Sequence, residues 1–408
     1  MAEIIPVLLG ADMNCYTMAR AFHEAYGVVS HAFGRWAMGE TKYSRIVKFT
    51  PVEKFDTDPV MLKTLEDFAR AHPDGDKVAL GCTDDYAAML IRNRETLRAA
   101  GYTVPYIDVP LMEKLVTKES FYRLCDEHAI PYPATVVLRA GEGDKLDSLP
   151  FAYPVIVKPS SSISYWKHEF EGMKKVYTAK DAAEAKEITN RIFASGYPDS
   201  IIVQDMIPGA DDKMRVLTAY CDRNARVKMM CLGHLLLEEH TPRALGNHAA
   251  IVTEYNGPLM ETLKNFLEAV GYTGFANFDI KYDTRDGQYK VFEINLRLGR
   301  SNYYVTGAGL NLARYVTEDA VRGKDLGEPV LFEGESYWHS IPNAIVWKYT
   351  DDLELVEKAA ALADQGREST ALGYGYDLRL NPLRRLYLWE HYRRYHKKYA
   401  TYCKEPER

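Results

Sequence analysis

No two cysteines in this chain stand at the spacing of a zinc site or a redox motif. Cys15, Cys82, Cys125, Cys221, Cys231 and Cys403 are scattered along 408 residues, and no histidine cluster accompanies them. That distribution argues against a zinc ribbon or a CxxC oxidoreductase and for reduced thiols. Long apolar runs are also missing. The opening segment Met1-Ala2-Glu3-Ile4-Ile5-Pro6-Val7-Leu8-Leu9-Gly10 carries an acid where a secretory leader carries lysines, and its apolar stretch is short for a leader core. No later stretch reaches the length of a membrane helix, so a cytoplasmic protein without a membrane span is expected. The formal net charge of −6 leaves no footprint for nucleic acid, and no internal repeat is visible. What the chain does have is 47% hydrophobic residues over a length that accommodates two or three domains.

Residues 4–10 form an apolar run ending at Gly10, followed by Ala11-Asp12-Met13-Asn14 and a helical pattern through Met18, Ala19, Phe22 and Ala25. Strand, tight turn and helix in that order open an α/β sheet. A second such unit runs from Val78-Ala79-Leu80-Gly81 through Thr83-Asp84-Asp85 into a helix over 86–100. Open sheets place ligands at such turns, but Asp is also a favoured helix cap, and for either turn alone capping is the default. Near Leu111 a new unit begins: a helix over 112–129 stopped by Ile130-Pro131-Tyr132-Pro133, strands at 134–138 and 155–158, and a serine-rich loop at 160–164. A helix over 181–195 stops near Gly196, and a strand at 201–204 meets a Pro-Gly hinge. Strands at 216–220 and 227–232, a polar loop at 238–248, a helix over 258–270 and strands at 275–282 and 289–296 follow. Beyond about residue 331 the pattern is less regular and ends in a basic, aromatic tail.

The two last strands are the most informative. In Phe275-Ala276-Asn277-Phe278-Asp279-Ile280-Lys281-Tyr282, alternation puts Asn277, Asp279 and Lys281 on one face. In Tyr289-Lys290-Val291-Phe292-Glu293-Ile294-Asn295-Leu296, Glu293 and Asn295 share a face. A three-residue loop, Arg285-Asp286-Gly287 with Gly287 left-handed, would pair Asp279 with Glu293 and bring the three oxygen-bearing side chains together. Facing carboxylates repel unless a cation lies between them, and Mg²⁺ takes one or two carboxylates plus phosphate oxygens. A solvated acidic face fits less well, because Arg297 and Arg300 follow at once.

Upstream stand Lys118 on the helix after the first domain, Lys158 at the end of Pro154-Val155-Ile156-Val157-Lys158-Pro159, and the hinge Gln204-Asp205-Met206-Ile207-Pro208-Gly209. In this order the segments resemble the ATP-grasp superfamily. The chain looks most like the bacterial D-aspartate ligases of cell-wall synthesis, through Ile5–Asn14, Phe170-Glu171-Gly172-Met173-Lys174-Lys175, Met229–His234, Tyr272–Asp279 and Glu293-Ile294-Asn295-Leu296-Arg297-Leu298-Gly299-Arg300-Ser301, about residues 4–320 in all.

The resemblance implies an α/β (α+β) ATP-grasp fold. It divides into an N-terminal open α/β domain over 1–111, a small lobe over 112–204, a large lobe over 205–330 and a C-terminal extension over 331–408. It implies that Lys118, Lys158 and Ser161 meet ATP phosphates, that Gln204, Asp205 and Ile207 belong to the adenine hinge, and that Asp212 meets the ribose. Asp279, Glu293 and Asn295 would hold Mg²⁺, two ions with Mn²⁺ as a substitute. Arg215, Arg297 and Arg300 are candidates to steady the γ-phosphate and acyl phosphate, since a guanidinium fork suits oxyanions; for Arg215 a structural ion pair is an equal alternative. The implied reaction forms β-aspartyl phosphate from D-aspartate and passes it to the lysine ε-amine of a peptidoglycan precursor stem peptide. Other ATP-grasp ligases and a non-catalytic nucleotide-binding module are the rival classes.

One departure from the superfamily is the loop Pro159-Ser160-Ser161-Ser162-Ile163-Ser164, where many relatives have glycines; serine hydroxyls and N–H groups can still meet phosphate. This loop and the one around Arg243-Ala244-Leu245-Gly246-Asn247 are the lid candidates, and Arg243 or Arg297 the second cation for a dicarboxylate. The amine acceptor is placed near Asp12 and Asn14. The tail from Pro382 through Tyr399 is expected to pack on the body with its arginines outward, peripheral membrane contact being the alternative.

Overall fold

A computed structural model of the chain describes residues 3–165, 167–241 and 244–406. It divides into two compact units: Met1–Val109, Ala210–Phe278 and Asn295–Arg408 form the first, Pro110–Gly209 and Asp279–Ile294 the second. The first unit opens with β1 (Ile4–Leu9), β2 (Ser30–Gly34), β3 (Val47–Pro51), β4 (Asp76–Gly81) and β5 (Tyr102–Thr103), a parallel sheet in the order β3-β2-β1-β4-β5. β1 is central, and Val7, Leu8 and Leu9 are fully buried. A strand covered on both faces reads as a continuous apolar run, which is why it stands out in the sequence. Asp12 caps the helix Met13–Tyr26 by accepting from the Cys15 N–H at 3.3 Å. In the second turn the cap is Thr83, whose Oγ1 accepts from Tyr86 N–H at 3.4 Å; Asp84 and Asp85 stand in the first turn of the helix. The helix expected over 86–100 is two, Asp84–Arg92 and Arg94–Ala99, separated at Asn93, whose amide turns back to the Met89 carbonyl at 2.8 Å.

In the second unit the expected helix over 112–129 is also two, Val109–Val116 and Lys118–Glu127. Thr117 is extended (φ −86°, ψ 130°) and starts the second helix afresh, with Ser120 Oγ donating to its carbonyl at 3.1 Å. β6 (Thr135–Leu138), β7 (Val155–Pro159), β8 (Tyr177–Ala179) and β9 (Ile201–Asp205) form an antiparallel sheet in the order β6-β9-β7-β8. The helix Ala182–Ala194, capped by Asp181, packs Ile188 and Ile192 against Val155, Val157 and Val203 of this sheet.

The larger sheet contains β10 (Met214–Cys221), β11 (Val227–Glu239), β12 (Asn247–Glu254), β13 (Gly274–Asp283), β14 (Gln288–Asn295), β15 (Val330–Leu331), β16 (Tyr337–His339) and β17 (Glu368–Thr370). Its order is β14-β13-β10-β11-β12-β16-β17, with β15 beside β11, and the Asp279–Ile294 stretch of β13 and β14 is grouped with the second unit. The strands flanking the polar loop run further into it than expected, β11 ending at Glu239 and β12 starting at Asn247, because Glu238 and Glu239 remain in the ladder opposite His248 and Asn247. The C-terminal region is more regular than its pattern suggests. Two- and three-residue strands show no alternation of their own, yet β16 pairs with β12 and β17 with β16.

The tail is one helix, Pro382–Tyr402. Tyr395 and Tyr399 enter a core with Leu236, Val252 and Ile345, as packing onto the body requires. The expectation of outward arginines fails at Arg384. Its guanidinium is fully buried, 3.2 Å from Asp377 and stacked 4.1 Å over the Tyr16 ring. An outward position would have left the Asp377 carboxylate buried without its cation.

Candidate active site

Lys118 occupies the first turn of its helix, where the macrodipole disfavours a cation. Its Nζ finds Glu293 instead, 3.1 Å from Oε2. Lys158 lies on the half-buried face of β7, alternating with buried Val155, Val157 and Pro159, and its Nζ sits 5.5 Å from the centre of the Phe292 ring. Burial, and then the nearby Lys118 and Lys175 cations, push the Lys158 ammonium down to about 7, against the opposing pull of Glu293 and Asp279. The Glu293 carboxyl is held far below the usual carboxylate range, chiefly by Lys118 and further by Lys175 and Lys158. One centre in the second unit thus joins Lys118, Lys158 and Glu293, with Asp279 within electrostatic reach of Lys158.

Lys175 is the member of this centre that motif reading did not single out. Its signal in the sequence is the Lys174-Lys175 pair ahead of β8. Asn295 ends β14 two positions beyond Glu293, and its amide nitrogen lies 3.5 Å from the Asn277 carbonyl. Asn277 itself is buried and accepts from Thr218 Oγ1 at 3.1 Å, a structural role.

The loop joining β13 and β14 is Thr284–Gly287, one residue longer than the expected Arg285-Asp286-Gly287. Gly287 is left-handed (φ 72°) as anticipated, but its N–H donates to the Asp283 carbonyl at 2.9 Å, which draws Thr284 into the turn. The Asp283 carboxylate fixes this shape, taking Arg285 Nε at 2.9 Å and Lys290 Nζ at 2.7 Å. Arg285 also pairs with Asp205.

Gln204 is fully engaged within the sheet. Its backbone lies in the β9 ladder and its amide donates to Tyr122 Oη at 2.9 Å and Thr135 Oγ1 at 2.8 Å. Asp205 donates its N–H to the Ala134 carbonyl at 2.9 Å, whereas Met206–Gly209 lies outside the ladder, with Ile207 buried. The serine loop is anchored rather than extended: Ser161 N–H donates to Tyr197 Oη at 3.1 Å and opens a short helix, Ser162–Tyr165.

In the first unit, Asp212 is buried and paired with Lys213. Arg215 donates through Nε to Glu254 Oε2 at 3.0 Å and through Nη1 to the Asp212 carbonyl at 2.9 Å, the ion-pair arrangement weighed for it. Arg297 pairs with Asp84 at 2.9 Å. Arg300 pairs with Glu239, which also accepts from Tyr395 Oη at 2.9 Å. The Asn14 side chain is already engaged: its amide donates to Cys82 and Leu298 carbonyls at 2.9 and 2.7 Å and its oxygen accepts from Asn302 at 2.7 Å. A buried network consumes that side chain. Burial raises the Asp12 carboxyl, and the Arg300 and Arg297 charges oppose the rise. Arg243 lies outside the described residues.

No family model matches the chain. Its backbone resembles N5-carboxyaminoimidazole synthetase from Staphylococcus aureus complexed with ADP, with a TM-score of 0.60 at 14% identity, over 88% of this chain and 85% of that one. It also resembles the biotin carboxylase domain of Hydrogenobacter thermophilus 2-oxoglutarate carboxylase in complex with MgADP, with a TM-score of 0.58 at 13% identity over 81% and 73%. At such identities the likeness speaks to fold, and the fold is that of the ATP-grasp enzymes. The chain is 43% identical over 385 residues to a D-aspartate ligase from Enterococcus faecium, covering 92% of this chain and 91% of the relative. It belongs to the D-aspartate ligase family, as its sequence strings anticipate.

Lys158 yields a prediction with a definite sign. An ammonium depressed to about 7 is partly deprotonated in neutral solution, and if Lys158 is the phosphate lysine that the resemblance implies, a bound polyphosphate would restore its charge. Above pH 7, nucleotide binding should therefore take up a proton, and affinity should fall by up to about tenfold per pH unit until the raised value in the complex is reached. Calorimetry at pH 8 in buffers of different ionisation enthalpy measures the uptake. Lys158→Met should abolish it, and equal enthalpies in all buffers for the wild-type enzyme would refute the assignment.

Proposed function

We propose that this ATP-dependent ligase phosphorylates the β-carboxylate of D-aspartate and transfers the β-aspartyl group to the lysine ε-amine of a peptidoglycan precursor stem peptide, in the cytoplasm. The observation that carries the reading is the Lys118, Lys158 and Glu293 centre, in a chain so similar to a D-aspartate ligase. A triphosphate and a carboxylate repel each other, and cations must hold them together. Lys118 and Lys158 are assigned to the phosphates, with Lys175 beside them and Ser161 at the loop. The Met206–Gly209 segment, with Ile207, is assigned to the adenine edge, because Gln204 and Asp205 already spend their backbones in the sheet. Asp212 is assigned to the ribose, a role that requires it to exchange Lys213 for the sugar.

Among the described residues no three His, Cys, Asp or Glu side chains converge to hold a metal ion. A divalent cation would have to complete its shell with phosphate oxygens and water, as Mg²⁺ does. Two carboxylates and an amide oxygen from Asp279, Glu293 and Asn295 fit that ion, and the lysines keep Glu293 ionised for it. When bound, Mg²⁺ neutralises phosphate charge; two ions, with Mn²⁺ as a substitute, follow the family pattern.

The reaction divides into two displacements. The carboxylate oxygen attacks the γ-phosphorus and ADP leaves; the unprotonated amine then attacks the acyl carbon, the C–O bond to phosphate breaks, and the nitrogen gives up a proton to the departing phosphate or to water. Arg297 and Arg300 are assigned to the oxyanions of both steps, a role that requires them to share or exchange Asp84 and Glu239 for the substrate, and Arg215 to a structural pair supporting them. Positioning and electrostatics supply the catalysis.

ADP release with Mg·ATP across D- and L-amino acids, with and without a lysine-containing stem-peptide precursor, tests the proposal. D-aspartate together with the precursor should stimulate release most. No stimulation by any amino acid would overturn the ligase assignment, and a response to L- but not D-aspartate would overturn the substrate.

A further inference from the structure

The tail helix Pro382–Tyr402 buries one face through Arg384, Leu388, Tyr395 and Tyr399. The opposite face presents Leu383, Leu386 and Trp389, which are 60%, 62% and 62% exposed, and Leu380 just ahead of the helix is 86% exposed. Residues three apart in a helix are neighbours, so these side chains form one stripe rather than isolated surface leucines. Along the same face, exposed Arg393 and Lys397 continue the stripe. Besides buried Arg384, the helix holds five lysines and arginines, Arg385, Arg393, Arg394, Lys397 and Lys398, against a single acid, Glu390, which pairs with Arg393 and Arg394, in a chain whose net charge is −6. On its flank, the Tyr387 ring occupies the space over Gly39. The segment before Gly39 carries two further exposed apolar groups, Trp36 and Met38, with Arg35 stacked 4.7 Å from the Trp36 ring.

We propose that this face docks peripherally on an anionic lipid surface, with Leu380, Leu383, Leu386 and Trp389 entering the headgroup boundary and Arg385, Arg393 and Lys397 meeting lipid phosphates. The charge pattern selects this occupant. An apolar stripe bordered by cations, with an aromatic at its edge, is the composition of an interfacial helix. A second copy placed symmetrically on the same face would bring like cations together. Among the described residues no helix is long and apolar enough to cross a membrane, so the contact lies in the plane of the interface. None of these side chains belongs to the nucleotide site, so docking and turnover are separable.

Cosedimentation of the full chain with vesicles tests the inference. The protein should bind vesicles of equal parts phosphatidylcholine and phosphatidylglycerol, leave them as salt rises, and ignore phosphatidylcholine alone. The triple variant Leu383→Glu, Leu386→Glu, Trp389→Glu should bind at least about tenfold more weakly, and Arg393→Gln and Lys397→Gln about fivefold more weakly each. All should keep the wild-type circular dichroism and ADP release in solution. Should the triple variant fail to fold, Leu386→Gln and Trp389→Gln singly must each weaken binding. Failure of the wild type to bind anionic vesicles, equal binding to neutral ones, or undiminished binding by the variants would overturn the proposal. So would a wild-type dimer that the triple variant converts to monomer, because the occupant would then be a second copy.

Discussion

Glu293→Gln should lower turnover on the order of 10²–10³-fold while the protein remains folded. Glutamine preserves the volume and one acceptor oxygen, so the packing of β14 is unaffected. What it removes is a charge that Lys118, Lys175 and Lys158 all hold in the ionised state. Without it, Lys118 loses its partner at 3.1 Å and the proposed metal set loses its central anion. The loss should fall mainly on kcat. Lys118, released from Glu293, remains able to bind phosphate, so KM for ATP should change much less. Glu293→Asp should recover part of the rate, because the charge returns with a shorter reach. Steady-state kinetics with both nucleotide and amino acid varied would measure this, alongside circular dichroism. Near-normal turnover in Glu293→Gln would remove this residue from the metal role.

Asp377→Ala should destabilise the first unit by about 3–5 kcal/mol, the range for breaking one side of a buried ion pair. Asp377 and Arg384 are both fully buried. The Asp377 carboxylate accepts from Tyr16 Oη at 3.0 Å and from the Arg45 N–H at 2.6 Å, and lies 3.2 Å from Arg384 Nε. One side chain therefore ties the helix Met13–Tyr26, the turn ahead of β3 and the tail. Alanine would strand a guanidinium in the interior, left with the Glu40 carbonyl and the Tyr16 and Tyr387 rings. Pairing the change with Arg384→Leu should restore most of the loss, since no buried charge is then left. Thermal and denaturant unfolding of the single and double variants would check both statements. A loss below about 1 kcal/mol in Asp377→Ala would show that the pair is dispensable.

Several members of the Lys118, Lys158 and Glu293 cluster were legible because their signal is local. Asp279 and Glu293 stand on strands whose alternation is strong, and Lys158 ends an apolar run, so period-two patterning exposes them. Lys175 was illegible as a site residue because its influence on Glu293 and Lys158 acts through space from an exposed segment without periodicity. Gln204 illustrates the opposite case. A polar residue at a strand end looks available in sequence, yet β9 is an inner strand and its neighbours claim both backbone and amide. Asn14, beside a promising turn, is likewise consumed by partners 68, 284 and 288 residues away. The hairpin loop came out one residue longer because Asp283 gathers Arg285 and Lys290, and side-chain ion pairs outweigh a small difference between turn types.

By itself the sequence determined the strand–turn–helix openings, the fold family and the chain positions of the candidate acidic and basic groups. These depend on periodicity, caps and strings of neighbouring residues, all of which are short-range. Only the tertiary structure decided which polar groups remain for a ligand and which are already taken. It drew Arg384 inward, bound Arg300 to Glu239, set Lys118 against Glu293 and depressed Lys158. Each of those outcomes depends on burial and on charges far apart in the chain, and the free energy of a charge is set by what surrounds it, not by what precedes it.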